Sequence, residues 1–259
     1  MTRTATLNGD RLLKRARDFG AELDLKKAAT ATAFTWYPYG TLNNFVHLRE
    51  ILNRHPLDSL TRTRHVADIG GADGDLAFFL QHLGFTVDVI DNAPTNYNGL
   101  QGVKALIDRL GVKSTVKLLE RDIDEQFTLP SANYDLVFLL GILYHLKNPY
   151  YVLERLSKVT RHLVLSTRVM RFVPDGRPVA GLPVAYLLDP DESNNDATNY
   201  WIFTDFALRR LVARAGWQVL AATTVGDLAA SNPSGADQDE RAFMLLRSSR
   251  PLGADEAGS

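Results

Sequence analysis

The 259-residue chain contains no cysteine. That absence excludes disulfides, thiolate nucleophiles, zinc–thiolate sites and cysteine-ligated iron–sulfur clusters together, and with the last of these radical chemistry. No apolar run reaches the roughly 20 residues that a membrane-spanning helix needs. The N-terminal stretch carries charges where a signal peptide would carry an apolar core. A cytoplasmic protein without a membrane partner is the expectation. There is no Gly-x-Ser-x-Gly turn to support a hydrolase. A hydrophobic content of 45% and a charged content of 23% are ordinary for a globular chain, and the length suits one large α/β domain with additions. An excess of one charge sign is also missing, since the net charge is -1. The charge is nevertheless uneven. Residues 1–65 hold eleven Lys and Arg against six Asp and Glu, a basic segment that either touches an anionic partner such as RNA or forms a solvated helix face.

Against these absences stands the segment His65-Val66-Ala67-Asp68-Ile69-Gly70-Gly71-Ala72-Asp73-Gly74-Asp75-Leu76. It reads as a buried strand, a glycine-rich turn and the start of a helix, the arrangement that brings a backbone close to a nucleotide. Thr86–Asp91 reads as a second strand ending in a carboxylate. Asp91 follows the turn by about 20 residues, the spacing at which an acid reaches a ribose. A dinucleotide fingerprint would continue G-x-G-x-x-G/A, whereas counting from Gly70 gives Ala72 and then Asp75. Asp75 would set a negative charge near a pyrophosphate, which argues against a dehydrogenase.

Asp68, Gly70, Ala72 and Gly74 resemble the first motif of class I S-adenosylmethionine (AdoMet) methyltransferases, D/E-x-G-x-G-x-G, with alanine in place of one glycine. AdoMet carries an amino group and a sulfonium and no phosphate, so an acidic turn suits it. The resemblance implies a cofactor site made from Asp68, Gly70, Gly71, Ala72 and Gly74, with Asp91 and Asn92 at the end of the second strand. Asp122 and Ile123 would receive the adenine after the third strand, and Leu140 and Gly141 would end the fourth. The product would be S-adenosylhomocysteine.

Alternating periodicity places strands at 66–70, 86–91, 115–120, 134–140 and 162–167, with helices at 73–83, 97–110 and 149–159 between them. A long connection at 168–200, a helix at 203–215 and strands at 217–225 and 241–247 follow. The last two strands suggest an antiparallel hairpin joined by 226–240. The expected fold class is α/β, a Rossmann-like class I methyltransferase sheet, mostly parallel with an antiparallel C-terminal hairpin. Residues 1–63 form an N-terminal helical lid with helices at 11–28 and 43–54. Between those helices Trp36, Tyr37 and Tyr39 lie in a non-helical aromatic loop at 34–42, either packed on the main domain or roofing a pocket. Residues 64–248 make the AdoMet domain and 249–259 a disordered tail.

After strand four comes Gly141-Ile142-Leu143-Tyr144-His145-Leu146-Lys147-Asn148-Pro149. This resembles the Gly-(Val/Ile)-Leu-Tyr-His segment of the tRNA wobble-uridine carboxymethyltransferase-like group of class I methyltransferases. The later Asn194-Asn195-Asp196-Ala197-Thr198-Asn199-Tyr200-Trp201 is similar to the same group's Asn-Asp-Pro-Thr-Asn-Trp-Trp stretch, with alanine where proline is usual. The resemblance covers roughly residues 64–218. It implies an acceptor site near Tyr144, Asn199, Tyr200 and Trp201; the plainer alternative for the last three is a capping turn with Trp201 in the core. His145 is either a general base or a loop histidine that orients backbone. The wobble-uridine enzymes use carboxy-AdoMet, whose extra carboxylate needs a tyrosine and cations. Tyr144 matches, and Arg168 and Lys147 are the available stand-ins. Ordinary AdoMet is the expected cofactor and a small molecule with an O or N acceptor the expected substrate. Wobble-uridine tRNA modification is the alternative, and a binding protein without catalysis is a third. A metal site through Asp189, Asp191 and Asn194 or Asn195 rests on one acidic loop, so no metal is expected. The oligomeric state is left open.

Overall fold

The first helix, α1 (Gly9–Ala28), starts where the Asn8 side chain accepts a hydrogen bond from the Arg11 backbone at 3.1 Å. Asp10 in its first turn and Lys26 and Lys27 in its last complement the helix dipole. Leu12, Ala16, Phe19 and Leu23 recur at helical spacing and are buried. This stripe packs on α2 (Asn44–Arg54) and on α4 (Asp75–His82). The Phe79 ring of α4 lies 5.7 Å from Phe19 and 5.3 Å from Phe45. Each large apolar side chain fully buried in this way contributes roughly 1.5–3 kcal/mol.

The protein is described by a computed structural model over residues 6–235 and 239–250. Its chain forms two units, residues up to Asp122 with Tyr134–Phe138, and Ile123–Asn133 with the chain from Leu139 onward. In the first unit, β1 (His65–Ile69), β2 (Thr86–Asp91) and β3 (Val116–Glu120) run parallel, and the strand order is β3-β2-β1-β4. The strand β4 (Tyr134–Leu140) begins in this unit and ends in the second. Near-continuous burial of β1 and β2 follows from helices covering both faces, whereas β3 at the edge has only Val116 buried. A short helix α3 (Leu57–Leu60) precedes β1. The helix expected from residue 97 begins later, as α5 (Gln101–Leu110), because Gly99 and Leu100 take positive φ and complete a turn first.

The second unit contains α6 (Pro149–Val159), opened by a proline at its first position. Its central strand β5 (Thr160–Met170) runs antiparallel to β9 (Glu240–Ser248), which pairs in turn with β8 (Trp217–Gly226). This is the C-terminal hairpin expected from the sequence, and the whole is a mostly parallel mixed sheet with flanking helices. On its other side β5 pairs in parallel with β7 (Trp201–Thr204), and β7 pairs antiparallel with β6 (Ala185–Leu187). The stretch 168–200 is therefore not a plain connection. Its first residues extend β5 and its middle forms β6. Helix α7 (Asp205–Arg214) starts under Thr204, whose hydroxyl accepts from Ala207 N at 3.0 Å. Among the described residues no helix is long and apolar enough to cross a membrane. The expected disordered tail lies, from residue 251, outside the described residues.

Candidate active site

The glycine turn leaves β1 at Gly70 (φ 71°), passes Ala72 (φ 52°) and enters α4 through Gly74 (φ 85°). Gly74 is additionally hemmed in, since a Cβ there would sit 2.9 Å from the Phe78 ring and 3.0 Å from Val103. Asp91, at the tip of β2, is tied to this turn. Its Oδ2 accepts from Ala72 N at 3.1 Å and from Asn96 Nδ2 at 3.0 Å, and its Oδ1 accepts from Asn92 N at 2.8 Å. A carboxylate has about four acceptor sites, so these bonds leave Asp91 capacity for a further donor. Burial holds its carboxyl above the usual range despite those bonds.

Asp68 is buried, and its Oδ2 finds no hydrogen-bond partner among the described residues. Burial, and then the charges of Asp91 and Asp75, push its carboxyl up to about 7. The folded state thus holds a proton that the unfolded chain releases near the ordinary value of 3.8. The cost of ionising Asp68 in place grows as pH rises through the interval and is complete above about 7. Asp68→Asn is therefore expected to stabilise the protein, with a gain that increases from pH 5 to pH 7 and then levels off at a few kcal/mol. Denaturant unfolding across that range checks it; a pH-independent difference would place Asp68 in contact with water.

Asp73, which the motif reading passed over, is the hub of this turn. Its Oδ2 accepts from Tyr37 N at 2.8 Å and its Oδ1 from Asn98 Nδ2 at 2.8 Å, and the same amide reaches Thr35 O at 3.2 Å. These bonds fix the aromatic loop against the turn. Lys27, from the last turn of α1, sets its ammonium 2.7 Å from Asp75 and 3.5 Å from Asp73, and 5.5 Å from the Trp36 ring centroid. The Asp75 charge is thus answered within the unit. Tyr37 meets Tyr39 edge-on at 5.4 Å and Tyr97 at 5.8 Å, and Tyr39 remains exposed. Gly102 makes room for the hub, since a Cβ there would lie 2.0 Å from Asp73 Oδ1. Gly102→Ala should displace Asp73 from Asn98 and cost about 1–3 kcal/mol, read by urea unfolding, although alanine is the better helix former. Asp122, also in this unit, is exposed.

In the second unit Ile123 is buried, Leu140 ends β4, and Gly141 (φ 75°) donates from its backbone to Ser166 O at 3.0 Å. The Tyr144 and His145 rings meet at a tilt of 41°, with centroids 4.2 Å apart. The His145 Nδ1 lies 3.0 Å from the Thr198 hydroxyl, which donates to Asp196 at 2.7 Å. Burial pulls the His145 imidazole below its ordinary 6.5, an effect that Thr198 and Asp196 partly offset. Tyr200 donates from its backbone to Tyr144 O at 2.8 Å, and the Lys147 ammonium stands 5.9 Å from the Tyr200 ring centroid. Trp201 donates Nε1 to Lys147 O at 3.3 Å. The structure thus brings Tyr144, His145, Tyr200 and Trp201 together.

Arg168 and Asn199 lie in a buried network beside this group. Arg168 donates Nε to Asp239 at 2.9 Å and a terminal nitrogen to the Ser193 hydroxyl, and Asn199 donates to Ser193 O at 2.9 Å. Arg241, which shares Asp239 with Arg168 through a 3.0 Å contact, faces Tyr144 at 5.6 Å from the ring centroid. It sits opposite Arg168 in the β5–β9 register. No motif pointed to Arg241, because the pairing that brings it there joins positions 73 residues apart.

A parallel strand, a positive-φ glycine turn and an acid at the tip of the next strand, in a sheet closed by an antiparallel hairpin, define the Rossmann-like methyltransferase architecture. Residues 40–222 match the methyltransferase domain family, and the chain belongs to it. No curated protein matches the sequence. Among solved structures it is similar to the [4+2]-cyclase SpnF, at 13% identity over 93% of this chain and 97% of that one, with a TM-score of 0.60. It is also similar to the O-methyltransferase of a trans-AT polyketide synthase multienzyme of Brevibacillus brevis, in complex with S-adenosyl-L-homocysteine. That identity is 12%, covering 72% and 67% of the two chains, with a TM-score of 0.55. The N-terminal domain of EvdMO1, in the presence of S-adenosylhomocysteine and D-fucose, matches at 17% identity over 72% and 76% of the chains, with a TM-score of 0.51. At these identities the likeness is one of fold. A cyclase among the neighbours means that the fold alone does not name the reaction.

Proposed function

We propose that the protein transfers a methyl group from AdoMet to an oxygen or nitrogen of a small-molecule acceptor. The observation that carries this reading is the glycine turn with its buried acids. Asp68 has a buried, unpartnered carboxyl oxygen, and Asp91 keeps acceptor capacity for a further donor. Such acceptors fit a cationic amino-acid group and the hydroxyls of a ribose. Gly70 to Gly74 would bound the cofactor, Asp91 would take a ribose hydroxyl, and Asn92, Asp122, Ile123, Leu140 and Gly141 are the further proposed contacts. AdoMet supplies a methyl carbon already activated by a positive sulfur, and S-adenosylhomocysteine leaves as a neutral thioether.

The chain's own work is to hold the acceptor and remove its proton. His145 would take the acceptor's proton on its neutral imidazole as the acceptor atom is methylated, so that no positive charge is left on the product. Neutral His145 predominates at pH 7 because burial lowers its pKa. Tyr144, Tyr200 and Trp201 offer aromatic walls for the acceptor, with Trp36, Tyr37 and Tyr39 proposed from the aromatic loop. Asn199 and Arg168 would support that site through Ser193. Mass spectrometry of AdoMet reactions with phenols, alcohols and amines tests the reading; a methylated product lost in Asp91→Ala supports it.

A second reading is favoured by Arg241, whose guanidinium beside Tyr144 forms a cation–phenol pair suited to a carboxylate. This is the chemistry that carboxy-AdoMet, and with it a wobble-uridine tRNA substrate, would require. Carboxymethylated tRNA uridine, together with tRNA binding that weakens steeply with salt, would select it over the first.

A further inference from the structure

His145 has two ring nitrogens, and its surroundings decide which one keeps the proton. Nδ1 lies 3.2 Å from the backbone carbonyl oxygen of Thr198 and 3.0 Å from its hydroxyl oxygen. The carbonyl only accepts. The hydroxyl spends its hydrogen on Asp196 Oδ1 at 2.7 Å, so toward the ring it also only accepts. Both oxygens therefore call for a proton on Nδ1. No hydrogen bond reaches Nε2 among the described residues.

We propose that Asp196 and Thr198 are positioning residues that hold His145 as its Nδ1–H tautomer and leave the Nε2 lone pair to receive the acceptor's proton. The function of that lone pair rests on the reading of His145 as a base. The tautomer itself is a property of the free protein. A histidine side chain free in water prefers the opposite form, Nε2–H, so the local wiring reverses a default.

The relay is anchored. Asp196 Oδ1 also accepts from Thr198 N at 2.9 Å, and Asp196 O accepts from Asn199 N at 3.0 Å. One carboxylate oxygen thus orients both the backbone and the hydroxyl of Thr198. Just before it, Ser193, Asn194 and Asn195 take φ values of 50°, 69° and 53°, and Ser193 is held by Arg168 and Asn199. Three successive left-handed residues persist only where the surroundings fix them. The charged and titratable groups facing His145 are Asp196, which favours a protonated ring, Arg241, which opposes it, and Tyr144, whose ring lies tilted against it. The same wiring accounts for Asp196 and Thr198 within the Asn194–Trp201 segment.

The test is nitrogen NMR on full-length protein labelled with 15N-histidine at pH 7.5. His145→Gln identifies the His145 signals among six histidines. The expected spectrum has a protonated Nδ1 and an unprotonated Nε2; the reverse pattern overturns the proposal. Asp196→Asn keeps an acceptor oxygen and should keep the tautomer. Asp196→Ala frees the Thr198 hydroxyl to donate to Nδ1. It should move the population toward Nε2–H and lower kcat about tenfold, with KM changed much less. An unchanged tautomer in Asp196→Ala removes Asp196 from the relay. If Asp196→Ala does not fold, the wild-type spectrum and Asp196→Asn decide. An Nδ1–H spectrum with full turnover in His145→Gln would leave the tautomer standing and sink the base role instead.

Discussion

Replacing Lys27 with methionine is expected to lower the unfolding free energy by about 3–5 kcal/mol. The methylene stem would be kept and the ammonium lost. Asp73 and Asp75 would then remain buried without the cation that lies 3.5 and 2.7 Å away. The effect is large because breaking a buried pair strands its partner, whereas an exposed pair such as Arg177 with Asp175 is worth at most about 1 kcal/mol. It should also depend on pH. Burial already raises the Asp75 carboxyl, and Lys27 is the main influence pulling it down. Without Lys27 that carboxyl rises further and takes up a proton more readily, so the loss is greater at pH 8 than at pH 5. Lys27→Met with Asp75→Asn should recover part of it. Urea unfolding of the variants reads all three values. A loss below about 1 kcal/mol at pH 8 would mean that the ammonium is solvated and the aromatic loop is held without it.

The second large effect is on turnover. His145→Gln should reduce kcat by about 10²- to 10⁴-fold, the usual contribution of a positioned base, with a much smaller change in KM. The pH profile carries the same information. The wild-type rate should rise with pH as His145 loses its proton, with a midpoint below the ordinary 6.5 because burial disfavours the charged ring. It should be flat above neutrality, and the variant should lack this limb. A kcat within twofold of wild type would return His145 to the role of a histidine that orients backbone.

The parts of this account that were legible in the sequence are those written over short spans. The strand, glycine turn and helix of residues 65–82 and the acid at Asp91 are visible because buried parallel strands are apolar throughout and the turn demands small residues. The C-terminal hairpin was visible for a similar reason, since β8 and β9 are long. Strand β6, only three residues with two of them exposed, carries too little pattern to be seen. The site's fastening was hidden for a different reason. Lys27 and Asp73 are 46 residues apart, and Asn98 and Asp73 are 25. No local periodicity announces such pairs, and a lysine in the last turn of a helix reads as an ordinary partner of the dipole. Arg168 shows the converse. As an arginine at the end of an expected strand it looked available, and the fold places it beside Asp239 and Ser193 while its register neighbour Arg241 meets Tyr144.

The most direct measurement is thermal unfolding of the purified protein with S-adenosylhomocysteine, with NADH as the control. The account predicts a saturable rise of several degrees with S-adenosylhomocysteine and none with NADH, since only a ligand bound to the folded state raises the midpoint. Asp91→Ala should abolish the rise. An unchanged midpoint with S-adenosylhomocysteine, or an equal rise with NADH, would contradict the assignment of the acidic glycine turn to AdoMet.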